Sequence, residues 1–354
     1  MDTLSKIREE LKKTDLDALL ILGAVNRRYA TGFPSSDGAL FLTRSRAVFL
    51  TDSRYIEAAQ NAIKNAEVRL VNSVQPYSAQ IKQLIEEENV SSVGFEEDVM
   101  SWGEHKKWTE KIGGVLRPAQ KLLTDLRARK SREELEALKA AQRIAEASFH
   151  EILPLISPEM TEKELAAELI YRLLRCGADD ISFDPIVVSG VRSSMPHGVP
   201  GDYKLGKGFL TIDFGAKKNG WCSDTTRTLC LGEPTEEMRR VYDTVLRAQE
   251  AGIAAARAGV PGREVDGAAR KVIEEAGYGA FFGHGFGHGL GLEVHEAPTL
   301  SPSGKDALPV GAVVSAEPGI YLPGRFGVRI EDVLYLTEDG CENITALPKH
   351  LIVV

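Results

Sequence analysis

Two stretches of this chain, 211–228 and 313–336, each place a pair of acidic residues symmetrically about a turn. In the first, Asn219-Gly220 separates two strand-like runs and is a strong signal for a two-residue hairpin. Asp213 and Asp224 then face each other if the turn centres on Lys218-Asn219, or lie one ladder step apart if it centres on Asn219-Gly220. Directly opposed residues have Cβ atoms about 4.5–5.5 Å apart. Carboxylates that close repel unless one is protonated or a cation lies between them. In the second stretch Glu317 and Glu331 are symmetric about Gly324, in a connection that also holds Pro323, with strand-like residues on both sides. Four carboxylates match the charge of two divalent ions, and ions about 3.5–4 Å apart need carboxylates shared between them.

Between these stretches lies Gly283-His-Gly-Phe-Gly-His-Gly-Leu-Gly-Leu-Glu-Val-His-Glu. His284 and His288 have the i, i+4 spacing of a helical zinc site, but the interleaved glycines oppose a helix and the H-E-x-x-H order is absent. A glycine-rich loop instead lets backbone approach a crowded site, and a neutral imidazole supplies a nitrogen ligand. The residues alone leave open which histidine that is. The same glycines lack both the GxxxxGK[ST] order and the strand-to-helix context of a dinucleotide fingerprint, which argues against a nucleotide loop.

At 354 residues the chain exceeds what one core usually supports, so two domains are expected. Residues 3–13 read as an amphipathic helix, 16–23 as a buried strand, and 39–42 with 47–50 as a hairpin. Helical patterns at 55–65 and 78–89 and strands at 68–71 and 92–95 continue an α/β alternation to about residue 125. Ser131 with Glu134 is a capping-box signature that opens a long helix, so the domains are read as 1–125 and 126–354. In the second, Met160-Thr-Glu-Lys-Glu-Leu leading to Gly177 and Val260-Pro-Gly-Arg-Glu-Val leading to Gly277 are offset by 100, a faint internal duplication. No apolar run is long enough to span a bilayer, and the charged N-terminus does not read as a secretory signal, so a cytoplasmic location is expected. The formal net charge of −8 opposes nucleic-acid binding, and the four cysteines show no C-x-x-C pair and are read as reduced thiols.

The runs IDFGA, SDTTRT, HGFGHGLGLEVHE, SAEPGIY and VRIED, in that order, resemble the pita-bread metallopeptidases: aminopeptidase P, prolidase and methionine aminopeptidase. Tyr29-Ala-Thr-Gly-Phe and Thr51-Asp-Ser-Arg-Tyr resemble the N-terminal domain of the first two, so the likeness covers nearly the whole chain. It implies an α+β chain: an internally duplicated C-terminal pita-bread domain preceded by a smaller α/β creatinase-like domain that serves oligomerisation and substrate access, in a homodimer. It also implies that Asp213 binds one metal, that Asp224 and Glu331 bridge two, and that His288 with Glu317 completes the second site. A bridging water or hydroxide would be the nucleophile. His295 would stabilise the tetrahedral intermediate, His197 would contact the scissile region or the proline side, and Arg329 would hold the bridging carboxylate. Glu317 could carry a proton to the leaving nitrogen, and His284 would stand behind the ligands. Carboxylate and imidazole ligation without thiolate favours Mn²⁺, with Co²⁺ or Zn²⁺ also compatible.

The implied substrate is a peptide with proline at position two. Prolidases hold a dipeptide's carboxylate with an arginine that commonly follows His-Glu-x-Pro, whereas here His295-Glu-Ala-Pro298 is followed by Thr299. The expectation is therefore an Xaa-Pro aminopeptidase of the aminopeptidase P kind, with Xaa-Pro dipeptidase as the alternative. A creatinase-like or non-catalytic pita-bread protein is more remote, because all five ligand types are present. Each acid or histidine taken singly would be unremarkable in a strand or turn. His105, His150 and His350 have no partners in the pattern, and Trp102, Trp108 and Trp221 read as packing or subunit-contact residues.

Overall fold

The computed structural model describes residues 2–354, and the chain divides into two compact units, Met1–Arg127 and Ala128–Val354. In chain order the first holds α1 (Thr3–Leu11), β1 (Ala18–Ile21), α2 (Ala24–Thr31), β2 (Ala39–Thr43), β3 (Ala47–Thr51), α3 (Ile56–Ala62) and β4 (Glu67–Leu70). It continues with α4 (Tyr77–Glu87), β5 (Val93–Phe95), α5 (Trp102–Ile112), β6 (Leu116–Pro118) and α6 (Gln120–Arg127). The strands form one mixed sheet in the order β4-β3-β2-β1-β5-β6, with β1 antiparallel to β2 and parallel to β5. Every residue of β1, β2 and β3 is buried, as their unbroken apolar runs require. Helix α2 escapes the sequence reading because its buried residues include Asn26 and Arg27, which give no apolar stripe.

The second unit opens with α7 (Arg132–Ile152), whose capping box joins Ser131 and Glu134. There follow α8 (Glu162–Arg175), β7 (Asp180–Ile181), β8 (Ile186–Ser189), β9 (Gly208–Phe214), β10 (Ala216–Lys218), β11 (Trp221–Cys222), β12 (Thr225–Leu231), α9 (Glu236–Ala255) and α10 (Gly262–Glu275). The last strands are β13 (Gly287–Gly289), β14 (Glu296–Leu300), β15 (Val313–Ala316), β16 (Gly319–Leu322), β17 (Phe326–Arg329), β18 (Asp332–Leu336) and β19 (Cys341–Asn343).

The duplication is visible in the backbone. Helices α8 and α10 are each fourteen residues long, start 100 residues apart, and end near Gly177 and Gly277, both with positive φ. The first amides of α8, Glu162 and Lys163, donate to Tyr203 and Gly201; those of α10, Gly262 and Arg263, donate to Asp306 and Gly304. Each half has its own apolar core. Phe149, Leu165 and Leu169 pack with Leu210, Ile212 and Phe214 in the first half, and Val245, Val265 and Ala269 pack with Val314, Ala316 and Ile320 in the second. Burying each of the larger of these side chains, the alanines aside, contributes about 1.5–3 kcal/mol. On β9 the residues that alternate with this core, Thr211 and Asp213, belong to the opposite face. Among the described residues no helix is long and apolar enough to cross a membrane.

Candidate metal centre

The register of the first hairpin is set by its turn. Asn219 and Gly220 have φ of 49° and 81° and are flanked by the Lys218–Trp221 pair, as a two-residue hairpin with left-handed central residues requires. The same register continues to Asp213, which therefore pairs with Thr226, and Asp224 falls two residues away at the break between the two ladders. Of the two arrangements expected from the sequence, the offset one is present. Gly215 lies at that break, where a Cβ would stand 2.0 Å from the Ser223 carbonyl oxygen. In the second hairpin the pairs Ala316–Asp332 and Gly319–Arg329 share one register, which sets Glu317 across from Glu331 at an equivalent break. Gly324, with φ of 71°, closes its loop.

Backbone and side-chain hydrogen bonds lace the hairpins together. The Glu331 amide donates to the Thr226 carbonyl, the Thr226 hydroxyl donates to Glu331 Oε2 at 2.8 Å, and the Arg329 amide donates to the Thr228 hydroxyl. His288 enters from β13. Its amide donates to Ser315 Oγ, whose hydroxyl donates to Glu317 at 3.1 Å. Gly287 allows this approach, because a Cβ there would lie 2.0 Å from the Ser315 carbonyl oxygen. His288 Nδ1 lies 3.1 Å from the Gly289 carbonyl oxygen and donates to it, which turns Nε2 toward Glu317 at 3.1 Å and Asp224 at 3.7 Å.

Ligand atoms of Asp224, His288 and Glu331 all fall within 4.8 Å of one another. Asp213 Oδ1 and Glu331 Oε1 are buried with no hydrogen-bond partner. Burial, followed by the neighbouring carboxylates, pushes Asp224 and Glu331 well above the usual carboxylate range. Burial also raises Asp213, against the pull of Arg329. Burial alone would raise Glu317 too, but the His288 hydrogen bond and charge hold it at about 2, and Glu317 in turn raises His288 against burial. Such a group of acids takes up protons or a cation, and its orphaned oxygens fit a divalent ion.

Behind the acids runs a buried chain. His284 Nε2 lies 3.0 Å from the Tyr321 hydroxyl, Arg329 donates to that hydroxyl at 2.8 Å, and Arg329 Nη2 pairs with Asp213 at 2.6 Å. This corrects one expectation. Arg329 was expected to hold a bridging carboxylate, Asp224 or Glu331, yet it holds Asp213 and reaches Glu331 only through the Thr226 hydroxyl, 3.0 Å from Nε. The cause is the hairpin register, which sets Asp213 beside Thr226 and moves Asp224 one step away. Thr226, Ser315 and Tyr321 were not singled out in the sequence. Their one signal there is position: each lies two to four residues from an acid within the quoted runs.

All nine residues named from the sequence line one cavity of about 550 Å³: His197, Asp213, Asp224, His284, His288, His295, Glu317, Arg329 and Glu331. The His295 ring centre is 4.2 Å from that of His288, and burial, then the His288 charge, keeps its pKa below the usual value. Phe183, Pro185, Ile186, Val199, Pro200 and Val294 supply an apolar wall, and Thr299 also lines the space.

Comparison with known proteins places this geometry. The family profile described as metallopeptidase family M24 matches residues 136–338, and that of the creatinase/prolidase N-terminal domain matches residues 4–129. A solved Xaa-Pro dipeptidase from Bacillus anthracis is 38% identical with a TM-score of 0.95, covering 99% of both chains. A solved X-Pro aminopeptidase from Thermotoga maritima is 36% identical with a TM-score of 0.93 over all of both chains. An Xaa-Pro dipeptidase of Pyrococcus furiosus is 33% identical over 99% of both sequences.

Proposed function

The chain belongs to metallopeptidase family M24, with a pita-bread domain preceded by a creatinase-like N-terminal domain, and on that footing we propose that it is an Xaa-Pro dipeptidase. The observation that carries this is the convergence of four carboxylates and His288 on one cavity with an apolar wall suited to a proline ring. The names borne by the Bacillus anthracis and Pyrococcus furiosus relatives favour dipeptides over the aminopeptidase P expectation drawn from Thr299.

Peptide hydrolysis in this family depends on divalent metal. Here Asp213, Asp224, His288, Glu317 and Glu331 would hold two ions, with Mn²⁺ the first choice for a thiolate-free donor set. When bound, the ions supply Lewis-acid polarisation of the scissile carbonyl and acidify water toward neutrality. The residues divide the remaining work. Asp224 and Glu331, which with His288 bring ligand atoms within 4.8 Å of one another, are the carboxylates that would serve both ions, while Arg329 fixes Asp213, which would serve one. Glu317, oriented by Ser315, carries a proton to the departing proline nitrogen. His295, beside His288, donates to the developing oxyanion, and His197 meets the proline side of the substrate. A homodimer joined through the first unit completes the reading.

Thr299 supports a second reading. Among the lining residues Arg329 is the one guanidinium, and it is committed to Asp213, so a dipeptide's free carboxylate meets no arginine there. Xaa-Pro aminopeptidase activity on longer peptides follows if that carboxylate has no other receptor. Hydrolysis of Ala-Pro, Ala-Pro-Ala and Ala-Ala-Ala by Mn²⁺-reloaded protein separates the two. Faster cleavage of Ala-Pro supports the dipeptidase, faster cleavage of Ala-Pro-Ala transfers the assignment to the aminopeptidase, and cleavage of Ala-Ala-Ala alone removes the proline requirement.

A further inference from the structure

The segment from Ser189 to Tyr203 leaves β8, carries His197 past the cavity and turns back toward β9. Its only regular structure is a short 3₁₀ turn, Gly190–Ser194, and although Ser193 is buried, Val191, Met195, Val199 and Tyr203 are exposed, Val199 to 78%. Two contacts reach it from β17, the Gly327 amide donating to Ser193 Oγ at 2.9 Å and Arg329 donating to the Pro196 carbonyl at 3.1 Å, and the most heavily bonded anchor is Glu162, the fully buried first residue of α8. That carboxylate accepts from the Ser189 amide at 2.9 Å, from the Gly201 amide at 3.1 Å, and from Arg192 Nε at 3.1 and 3.0 Å on its two oxygens. Arg192 also donates to the Val199 carbonyl at 2.7 Å, and its guanidinium lies 4.3 Å from the centre of the Tyr203 ring. One buried carboxylate thus ties down both ends of the excursion and, through Arg192, its middle.

The duplication shows that closing this frame does not require an acid. In the second half the position equivalent to Glu162 is Gly262, where a Cβ would stand 2.1 Å from the Thr299 carbonyl oxygen, and the helix start still donates to the returning segment at Gly304 and Asp306. The second half instead ties its site-bearing segment one turn later, where Asp266 accepts from the Phe286 amide and Arg270 donates to the His284 carbonyl. A charged anchor therefore accompanies each histidine-bearing segment but sits at a different place in each half.

We propose that Glu162 and Arg192 are positioning residues: a buried latch that holds the His197 segment against the cavity and so sets recognition of the proline side of the substrate. The effect on substrate rests on the Xaa-Pro reading; the effect on the segment does not. The test uses full-length, Mn²⁺-loaded protein carrying Glu162→Gln, Arg192→Met or Arg192→Lys, so that failure of one variant to fold leaves the others. Amide hydrogen exchange should accelerate across 186–203 and stay unchanged across 284–290. Metal content should match wild type, while kcat/KM on the peptide that wild type cleaves falls by roughly tenfold to a hundredfold, the range for a small misplacement of a substrate-contacting group. Arg192→Lys, which keeps the charge, should recover part of the loss, and in a His197→Ala background the latch variants should cost nothing more. Unchanged exchange across 186–203, or losses that multiply with that of His197→Ala, would overturn the proposal. A wild type inactive on every Xaa-Pro peptide would refute the substrate reading, and the exchange result would then decide the latch alone.

Discussion

Replacing Asp224 with asparagine should stabilise the metal-free protein at neutral pH while abolishing its response to metal. Ligand oxygens of Asp224 and Glu331 lie no more than 4.8 Å apart. Two unit charges at that separation repel by about 3.5 kcal/mol at an effective dielectric constant near 20. Burial first, and then repulsion from the neighbouring carboxylates, raise both acids in the folded state, and proton uptake relieves part of that cost. The sign follows from linkage: an acid whose folded pKa lies above its unfolded value contributes stability that is full below the unfolded pKa, near 3.8 for Asp224, and is lost as pH rises through the folded one. The Asp224 contribution to metal-free wild type should therefore fall from about pH 4 upward, a fall that Asp224→Asn removes. The gain at the alkaline end should be about 1–3 kcal/mol, or roughly 2–4 °C of melting temperature per kcal/mol for a unit of this size. Mn²⁺ at about a hundredfold excess over its Kd should add about 2.7 kcal/mol per bound ion to wild type and far less to the variant. Thermal unfolding followed by circular dichroism from about pH 5 to about pH 8, with chelator and with Mn²⁺, measures all of this. A chelated variant that melts below chelated wild type at the alkaline end, or one that keeps the full Mn²⁺ shift, would refute the reasoning.

Two further outcomes are expected. Arg329→Met leaves the Asp213 carboxylate buried without its cation and should cost about 3–5 kcal/mol in urea denaturation of the metal-free protein, less once metal is bound; an unchanged midpoint would count against the pairing. Gly215→Ala drives a methyl into the Ser223 carbonyl between the two acids, and should cost about 1–3 kcal/mol and weaken Mn²⁺ binding seen by calorimetry; wild-type affinity would show that the break in the ladder does not place Asp213 and Asp224.

Much of the site could be read from spacing because local rules govern it. Asn219-Gly220 admits one turn type, and that turn dictates where Asp213 and Asp224 fall; Glu317 and Glu331 follow from Gly324 in the same way. Spacing could not separate His288 from His284, since both sit among glycines. The choice is made by β13, which directs His288 at Glu317 and leaves His284 against Tyr321. The partner of Arg329 was misread because it depends on a contact across 116 residues and on a one-step offset in a hairpin. In the sequence Glu162 is only part of the duplicated Met160-Thr-Glu run, and its burial beneath a loop becomes visible only once Arg192 and Gly201 are brought over it. Polar α2 gives no periodic signal for a related reason: Asn26 is buried through Glu96 and Arg127, distant in sequence, and Arg27 through the Leu22 and Ser35 carbonyls, so neither looks like a core residue in the sequence. Thr299 lines the cavity, and the inference drawn from it, a preference for longer peptides, is opposed by the names of the dipeptidase relatives.

The central claim is that five residues from two duplicated hairpins and one glycine-rich strand hold two divalent cations. Metal content per chain, measured by mass spectrometry after Mn²⁺ reloading and gel filtration, tests it most directly in wild type, Asp224→Asn and Glu331→Gln. The account predicts two ions per wild-type chain and loss of both in either variant, because each replaced carboxylate is one proposed to serve both ions. Two ions retained in both variants, or none in wild type, would contradict it.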